Sequence, residues 1–315
     1  MKESKVLQDL SACTISYKKK KHVNVIADFI SLDIKAFVRF LRAYPRSTLH
    51  EVLVKYGISP LTKLLQGWHR LPSWLELFKL VLRRDSFILI VLDACRYDLF
   101  SLIYKKYFHG RLIAVRSPGA HTYGWLPKAF FDPEFKDIRV FYAKLAINTH
   151  DVKLEEFMPT NRGIEVIKIR PRKKSDLRTV SPWEVNNEVL KRGLSKRNII
   201  WYMQPHYPWI RHKELSLKLI NEVTWQDFTP KDLVKEALKR KGISRQEVIK
   251  AYLANLIEVL RASSALIKEV QGYVDEIIIT SDHGELLGEY GLYLHPHYEL
   301  PQLCIVPWLE VEEVT

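Results

Sequence analysis

Asp282-His283-Gly284-Glu285 stands directly after the apolar run Ile277-Ile278-Ile279-Thr280-Ser281, and His295-Pro296-His297 follows twelve residues beyond His283. A carboxylate beside an imidazole, with two more imidazoles a short loop away, is an oxygen and nitrogen donor set suited to zinc, manganese or iron. A second apolar run, Phe87-Ile88-Leu89-Ile90-Val91-Leu92, stops on Asp93 and continues as Ala94-Cys95-Arg96-Tyr97-Asp98. A fourth histidine, His206, stands where Asn198-Ile199-Ile200-Trp201-Tyr202-Met203 gives way to Gln204-Pro205-His206-Tyr207-Pro208-Trp209. One Asp-His pair at a strand end could simply cap the next helix; two acidic strand ends suggest a shared ion.

The elements that must position these groups are buried strands. Short, β-branched apolar runs stopped by polar residues fit parallel strands covered on both faces. The carboxyl ends of such strands are where open α/β sheets place their ligands. Further strands are expected at 112–115, 138–142, 164–169 and 303–306, the last closed by Pro307-Trp308. Helices are expected at 98–108, within 214–242, and over 244–270. The stretch 116–127, rich in Pro, Gly and hydroxyl residues, reads as a loop at a strand end, the usual address of catalytic groups.

With 315 residues the chain can bury a sizeable core. An apolar content of 47% and a charged content of 27% are ordinary for a globular protein. The net charge of +13 is less ordinary and points to an anionic substrate, partner or surface. Cys13, Cys95 and Cys304 have neither disulfide nor metal-ligand spacing, so a reducing, cytoplasmic setting is expected. No apolar run reaches the length of a transmembrane segment. Residues 1–85 read as a basic helical extension, compatible with peripheral contact with an anionic membrane through its helices. No nucleic-acid motif is present, and nucleic acid is not expected as a partner.

Four motifs between about residues 86 and 308 together resemble the alkaline phosphatase and sulfatase superfamily. Val91-Leu92-Asp93-Ala94-Cys95-Arg96-Tyr97-Asp98 looks like its first metal motif. Ser117-Pro118-Gly119-Ala120-His121-Thr122 looks like the segment that delivers the nucleophile. Gln204-Pro205-His206-Tyr207-Pro208-Trp209 is similar to a motif written Asp-Pro-His-x-Pro-Tyr, and Asp282-His283-Gly284-Glu285 with His295 matches the last metal motif. The resemblance implies an α/β fold over 86–315, a mostly parallel central sheet sandwiched by helices. It also implies a divalent zinc or manganese site, of one or two ions, with Asp93, Thr122, Asp282, His283 and His295 as ligands. Thr122 is then the nucleophile, and His206 either protonates the leaving group or joins His295 on a second ion.

The departures shape the expectation. Gln204 stands where many relatives carry Asp, which removes one carboxylate, and Tyr290 where they often have His. Thr122 is followed by Tyr-Gly-Trp-Leu-Pro, not the Pro-Ser-Arg continuation of formylglycine sulfatases, so neither it nor Cys95 matures that way. Arg96 and Arg116 read equally as charge for the site or as structural ion pairs, while Cys95 reads as a small buried hydrophobe. The expected activity is metal-dependent hydrolysis of phosphate, phosphonate or sulfate esters on an anionic small molecule, glycan or lipid. Phospho-group transfer within the same superfamily, or a degenerate binding protein, are the alternatives. A haloacid-dehalogenase-type Asp93 nucleophile would want a second Asp at position 95, where this chain has Cys.

Overall fold

The computed structural model describes residues 68–143, 162–171, 176–220, 231–295 and 299–315. Residues 1–67, and with them most of the expected basic extension, lie outside the described residues, as does His297. Residues 70–315 form one compact unit. Its order is α1 (Trp74–Leu82), β1 (Phe87–Leu92), α2 (Tyr97–Ile103), β2 (Phe108–Arg116), α3 (Thr122–Phe130), β3 (Arg139–Ala143), β4 (Glu165–Ile169), α4 (Pro182–Arg192), β5 (Arg197–Tyr202), α5 (Lys213–Leu219), α6 (Lys231–Arg240) and α7 (Arg245–Val270). Then come β6 (Glu276–Thr280), the two-residue strands β7 (Leu286–Leu287) and β8 (Tyr293–Leu294), α8 (Pro301–Cys304) and β9 (Ile305–Val314).

Seven strands form the central sheet in the order β2-β9-β6-β1-β5-β3-β4. β1 pairs in parallel with both β5 and β6, β3 lies parallel to β4 and β5, and β9 runs antiparallel to β2 and β6. This is the mostly parallel, helix-sandwiched sheet expected from the sequence. Its continuous apolar strands follow from having a core on each face. Ile88, Ile90 and Leu92 of β1 join the core under α2, α4 and α7, whereas Phe87, Leu89 and Val91 join the core under α1 and α3. The second core is aromatic: Trp74 meets Trp125 edge-on at 4.9 Å, and Trp125 meets Trp201 at 5.2 Å. The Trp74 indole also donates to Thr280 Oγ1 at 2.9 Å, so α1 is fastened to the strand that carries Asp282. Helix α1 thus packs on the sheet although its sequence falls in the stretch read as an N-terminal extension.

Several boundaries differ from the sequence pattern. β2 begins at Phe108 instead of Leu112, and α2 stops at Ile103. The first residues of β2 lack alternation; their pairing with the end of β9 makes them a strand, with a register shift at His109/Gly110. Gly110 is required there, since a Cβ would lie 2.0 Å from the Glu310 carbonyl. β9 does not close at Pro307-Trp308 but runs to Val314, preceded by the short helix α8. Pro307, the third residue of β9, lies opposite Ala114 of β2 and one residue before the ladder to β6 begins at Trp308. Thr122 is not in a loop: it is the first residue of α3, whose N-cap His121 accepts from Gly124 N. Helix α7 runs as expected, started by a capping box between Ser244 and Glu247. No helix among the described residues is long and apolar enough to cross a membrane.

Candidate metal centre

The carboxyl ends of β1, β5 and β6 deliver Asp93, His206 and Asp282 to one place. Asp93 N donates to Tyr202 O at 3.0 Å and His206 N donates to Asp93 O at 3.1 Å, so the β1 and β5 ends are tied by backbone. The β1 and β6 ends are tied by Ala94 N donating to Asp282 Oδ1 at 3.1 Å and Cys95 N donating to Ser281 Oγ at 2.8 Å. His283 Nε2 lies 3.7 Å from Asp93 Oδ1 and 3.3 Å from Asp282 Oδ2. Donor atoms of Asp93, Asp282 and His283 all fall within 4.8 Å of one another.

Thr122 is brought into this cluster by the start of α3. Its Oγ1 donates to Asp282 Oδ2 at 2.9 Å and stands 3.1 Å from His283 Nε2. The segment before it is anchored by Ser117, whose Oγ bonds the Asp282 carbonyl and donates to Gly119 O at 2.9 Å. Gly119 has no room for a side chain, since a Cβ would lie 2.5 Å from Trp125 N. The α3 N-terminus adds a partial positive charge beside the Thr122 oxygen.

A second cluster adjoins the first. His206, Glu285 and His295 also bring donor atoms within 4.8 Å of one another, with Glu285 Oε2 3.5 Å from His295 Nδ1. The His295 ring lies 4.5 Å from His283 and 5.0 Å from His206. Glu285 is the residue that sequence reading passed over. It supplies the carboxylate that Gln204 does not; Gln204 instead donates its amide to Val180 O at 3.0 Å. The β7–β8 pairing, Leu286 opposite Leu294, folds the chain back so that Glu285 and His295 face each other. Its place in Asp-His-Gly-Glu, with a carboxylate missing at 204, was the available signal. Gly284 matters for close approach and not for a left-handed turn, because a Cβ there would lie 2.0 Å from Gln302 O.

The electrostatics of these groups fit a bound cation. Burial, then the charges of Asp282 and Glu285, raises the Asp93 carboxyl well above its usual range. Burial likewise raises Asp282, against hydrogen bonds from Ala94 N, His283 N and Thr122, and pushes Glu285 up to about 7. Burial lowers His283 well below its usual value and brings His206 down to about 4. The imidazoles are therefore neutral, and their tautomers are set by backbone: His283 Nδ1 donates to Gly284 O at 2.8 Å, and His206 Nδ1 to Tyr207 O. Each Nε2 keeps a lone pair. Asp93 Oδ1 and Glu285 Oε2 are buried carboxylate oxygens with no hydrogen-bond partner among the described residues. Carboxylates this desolvated are costly unless a cation joins them, and both donor sets are oxygen and nitrogen, as zinc and manganese take.

Arg96 is structural and Arg116 is exposed at the end of β2. The Arg96 guanidinium is buried, contacting Asp98 at 2.6 Å and Glu289 at 2.7 Å, and it donates to Glu285 O at 3.1 Å. Burial alone would raise Glu289, but Arg96 and Arg245 hold its carboxyl below the usual range. Cys95 is fully buried in the core, as expected of a small hydrophobe. Replacing Arg96 by Met is expected to destabilise the protein by about 3–5 kcal/mol, since it strips a buried carboxylate of its main partner. Chemical denaturation measures this; a loss below about 1 kcal/mol would show that the pair is energetically idle.

No family model and no curated protein matches the chain. Solved structures do. The soluble domain of lipooligosaccharide phosphoethanolamine transferase A from Neisseria meningitidis is 16% identical over 72% of this chain and 76% of that one, with a TM-score of 0.44. The C-terminal periplasmic domain of EcEptC from Escherichia coli, in complex with Zn, is 13% identical over 72% of each chain, with a TM-score of 0.41. BT1596, a 2-O GAG sulfatase, is 10% identical over 73% of this chain and 65% of that one, with a TM-score of 0.43.

Proposed function

We propose that this protein is a metal-dependent enzyme of phosphate, phosphonate or sulfate ester chemistry with Thr122 as its nucleophile. The observation that carries the reading is the Thr122 hydroxyl at the first residue of α3, 2.9 Å from Asp282 and 3.1 Å from His283 within a buried ligand cluster. Asp93, Thr122, Asp282 and His283 would hold one divalent ion, zinc or manganese, and His206, Glu285 and His295 a second. When bound, such ions act as Lewis acids that neutralise the ester's charge and lower the pKa of a nearby hydroxyl.

The remaining steps belong to the chain. The Thr122 hydroxyl proton has an acceptor in place at Asp282 Oδ2. The freed oxygen attacks phosphorus or sulfur, the bond to the ester oxygen breaks, and that oxygen leaves with a proton taken from solvent water, to which Asp282 returns the proton it took from Thr122. Thr122 then carries the phosphoryl or sulfuryl group until water, or a second hydroxyl, attacks and the Thr122 oxygen regains its proton. Water makes the protein a hydrolase and an alcohol makes it a transferase. In this reading His206 serves as a ligand: its Nδ1 is engaged with Tyr207 O, and burial brings the imidazole pKa down to about 4, so its Nε2 is left as a neutral donor atom in the second cluster. The substrate is an anionic small molecule, glycan or lipid ester.

The test is turnover of nitrophenyl phosphate, phosphodiester, phosphonate and sulfate esters after chelation, with zinc or manganese restored and glycerol present or absent as an acceptor. Turnover that disappears with the metal and returns with it supports the reading, and acceptor-dependent product divides transferase from hydrolase. Full turnover in the chelated protein would overturn it.

A further inference from the structure

The three loops that carry the ligands meet along one face of α7. Arg245, Tyr252 and Asn255 fall within roughly 80° of arc on that helix. Tyr252 and Asn255 are fully buried, and each spends its polar atoms on a ligand loop. Asn255 Nδ2 donates to His206 O and Pro208 O, both at 3.1 Å, and to Pro205 O at 3.3 Å, while its Oδ1 accepts from Ile210 N at 2.8 Å. One amide thus brackets His206 on both sides.

The Tyr252 hydroxyl does the same for the β1 end. It donates to Ala94 O at 2.7 Å and accepts from Arg96 N at 3.0 Å. Between those contacts the chain leaves Asp93 through Ala94 at φ 58°, a left-handed conformation that a residue with a Cβ adopts unfavourably. The hydroxyl therefore holds a turn that would otherwise relax, and the turn aims Asp93. Arg245, a turn and more earlier, donates to Leu287 O at 2.7 Å and lies 3.5 Å from Glu289, gripping the loop between Glu285 and His295. Gly288 at φ 102° leaves space for it, since a Cβ there would lie 2.6 Å from the arginine side chain.

We infer that this face of α7 is the positioning device that fixes the two ligand clusters against each other: Tyr252 sets the Asp93 cluster, and Asn255 sets the cluster of His206, Glu285 and His295. None of the three residues reaches the reacting atoms; each acts through a loop. The inference rests on the two-ion reading above, and its consequence is selectivity. Removing one α7 contact disturbs one ion site and spares the other, whereas a residue that merely stabilised the fold would weaken both sites together or neither.

The experiment is zinc titration by calorimetry of the chelated full chain, in wild type, Tyr252→Phe and Asn255→Ala, with thermal unfolding of each. Wild type is expected to bind two ions. Asn255→Ala is expected to lose roughly 10–100-fold in affinity at one site only, and Tyr252→Phe to lose a similar factor at the other, the usual range for groups that orient metal ligands. Assignment of the weakened site comes from pairing each change with His206→Ala, which deletes a ligand of the second cluster: Asn255→Ala on that background should add little, and Tyr252→Phe should weaken the ion that is left. Equal loss at both sites, or unchanged affinities, in a folded variant would overturn the inference. Should Asn255→Ala not fold, Tyr252→Phe decides alone, since it removes one oxygen without changing shape. Fewer than two ions on wild type would instead contradict the two-ion reading, a different failure.

Discussion

Thr122→Ala is expected to lose essentially all turnover, on the order of 10³-fold or more, while keeping most of the bound metal. The side chain is half-buried and, among the described residues, its hydroxyl bonds Asp282 and His283, so its removal leaves the three buried donors of the first cluster in place. The helix start is also preserved, because the cap of α3 is His121 and not Thr122. Steady-state rates on the preferred ester, together with metal content by elemental analysis, measure both halves. The expected pattern is a collapse of kcat with near-normal metal. Serine at this position should recover part of the rate, because it restores the oxygen without the methyl group. An alanine variant of unchanged rate would remove Thr122 from the chemistry.

Asp282→Asn is expected to abolish both metal binding at the first cluster and turnover. Asp282 is fully buried and its two oxygens are divided: Oδ1 accepts from Ala94 N and His283 N, and Oδ2 accepts from Thr122. The isosteric amide keeps Oδ1 as an acceptor for the backbone, so the β1 and β6 ends stay joined. It exchanges the anionic Oδ2 for an NH₂ that neither ligates a cation nor takes the Thr122 proton. Zinc affinity measured by competition with a chromophoric chelator should fall by several orders of magnitude, with circular dichroism unchanged. Wild-type affinity in this variant would remove Asp282 from the ligand set.

The parts of this site that the sequence announces are those set by local burial. β1 and β6 are buried on both faces, so their apolar runs and the aspartates that stop them are visible at once. Asp93, Asp282 and His283 were legible for that reason, and His206 because a strand stops just before it. What depends on long-range folding was not legible. Glu285 becomes a site residue only because β7 and β8 fold His295 back onto it. Arg96 read equally as site charge or salt bridge until Glu289, far along the chain, closed over it. The start of α3 was hidden by Pro118, Gly119, Gly124 and Pro127, whose local preferences favour a loop; Trp125 and Phe130 packed among Trp74, Trp201 and Phe135 override them. The role of α7 was also invisible, since a pattern shows that Tyr252 lies on an apolar face but not which loop its hydroxyl meets.

The most direct test of the central claim is to find where the transferred group rests. The metal-loaded protein is mixed with excess of its preferred ester, quenched in acid within a turnover, digested and analysed by peptide mass spectrometry. A phosphoryl or sulfuryl increment on the peptide containing Thr122, absent from Thr122→Ala, is the predicted result. An increment on the peptide containing Asp93 would contradict the account and place this chain with the aspartate-nucleophile enzymes.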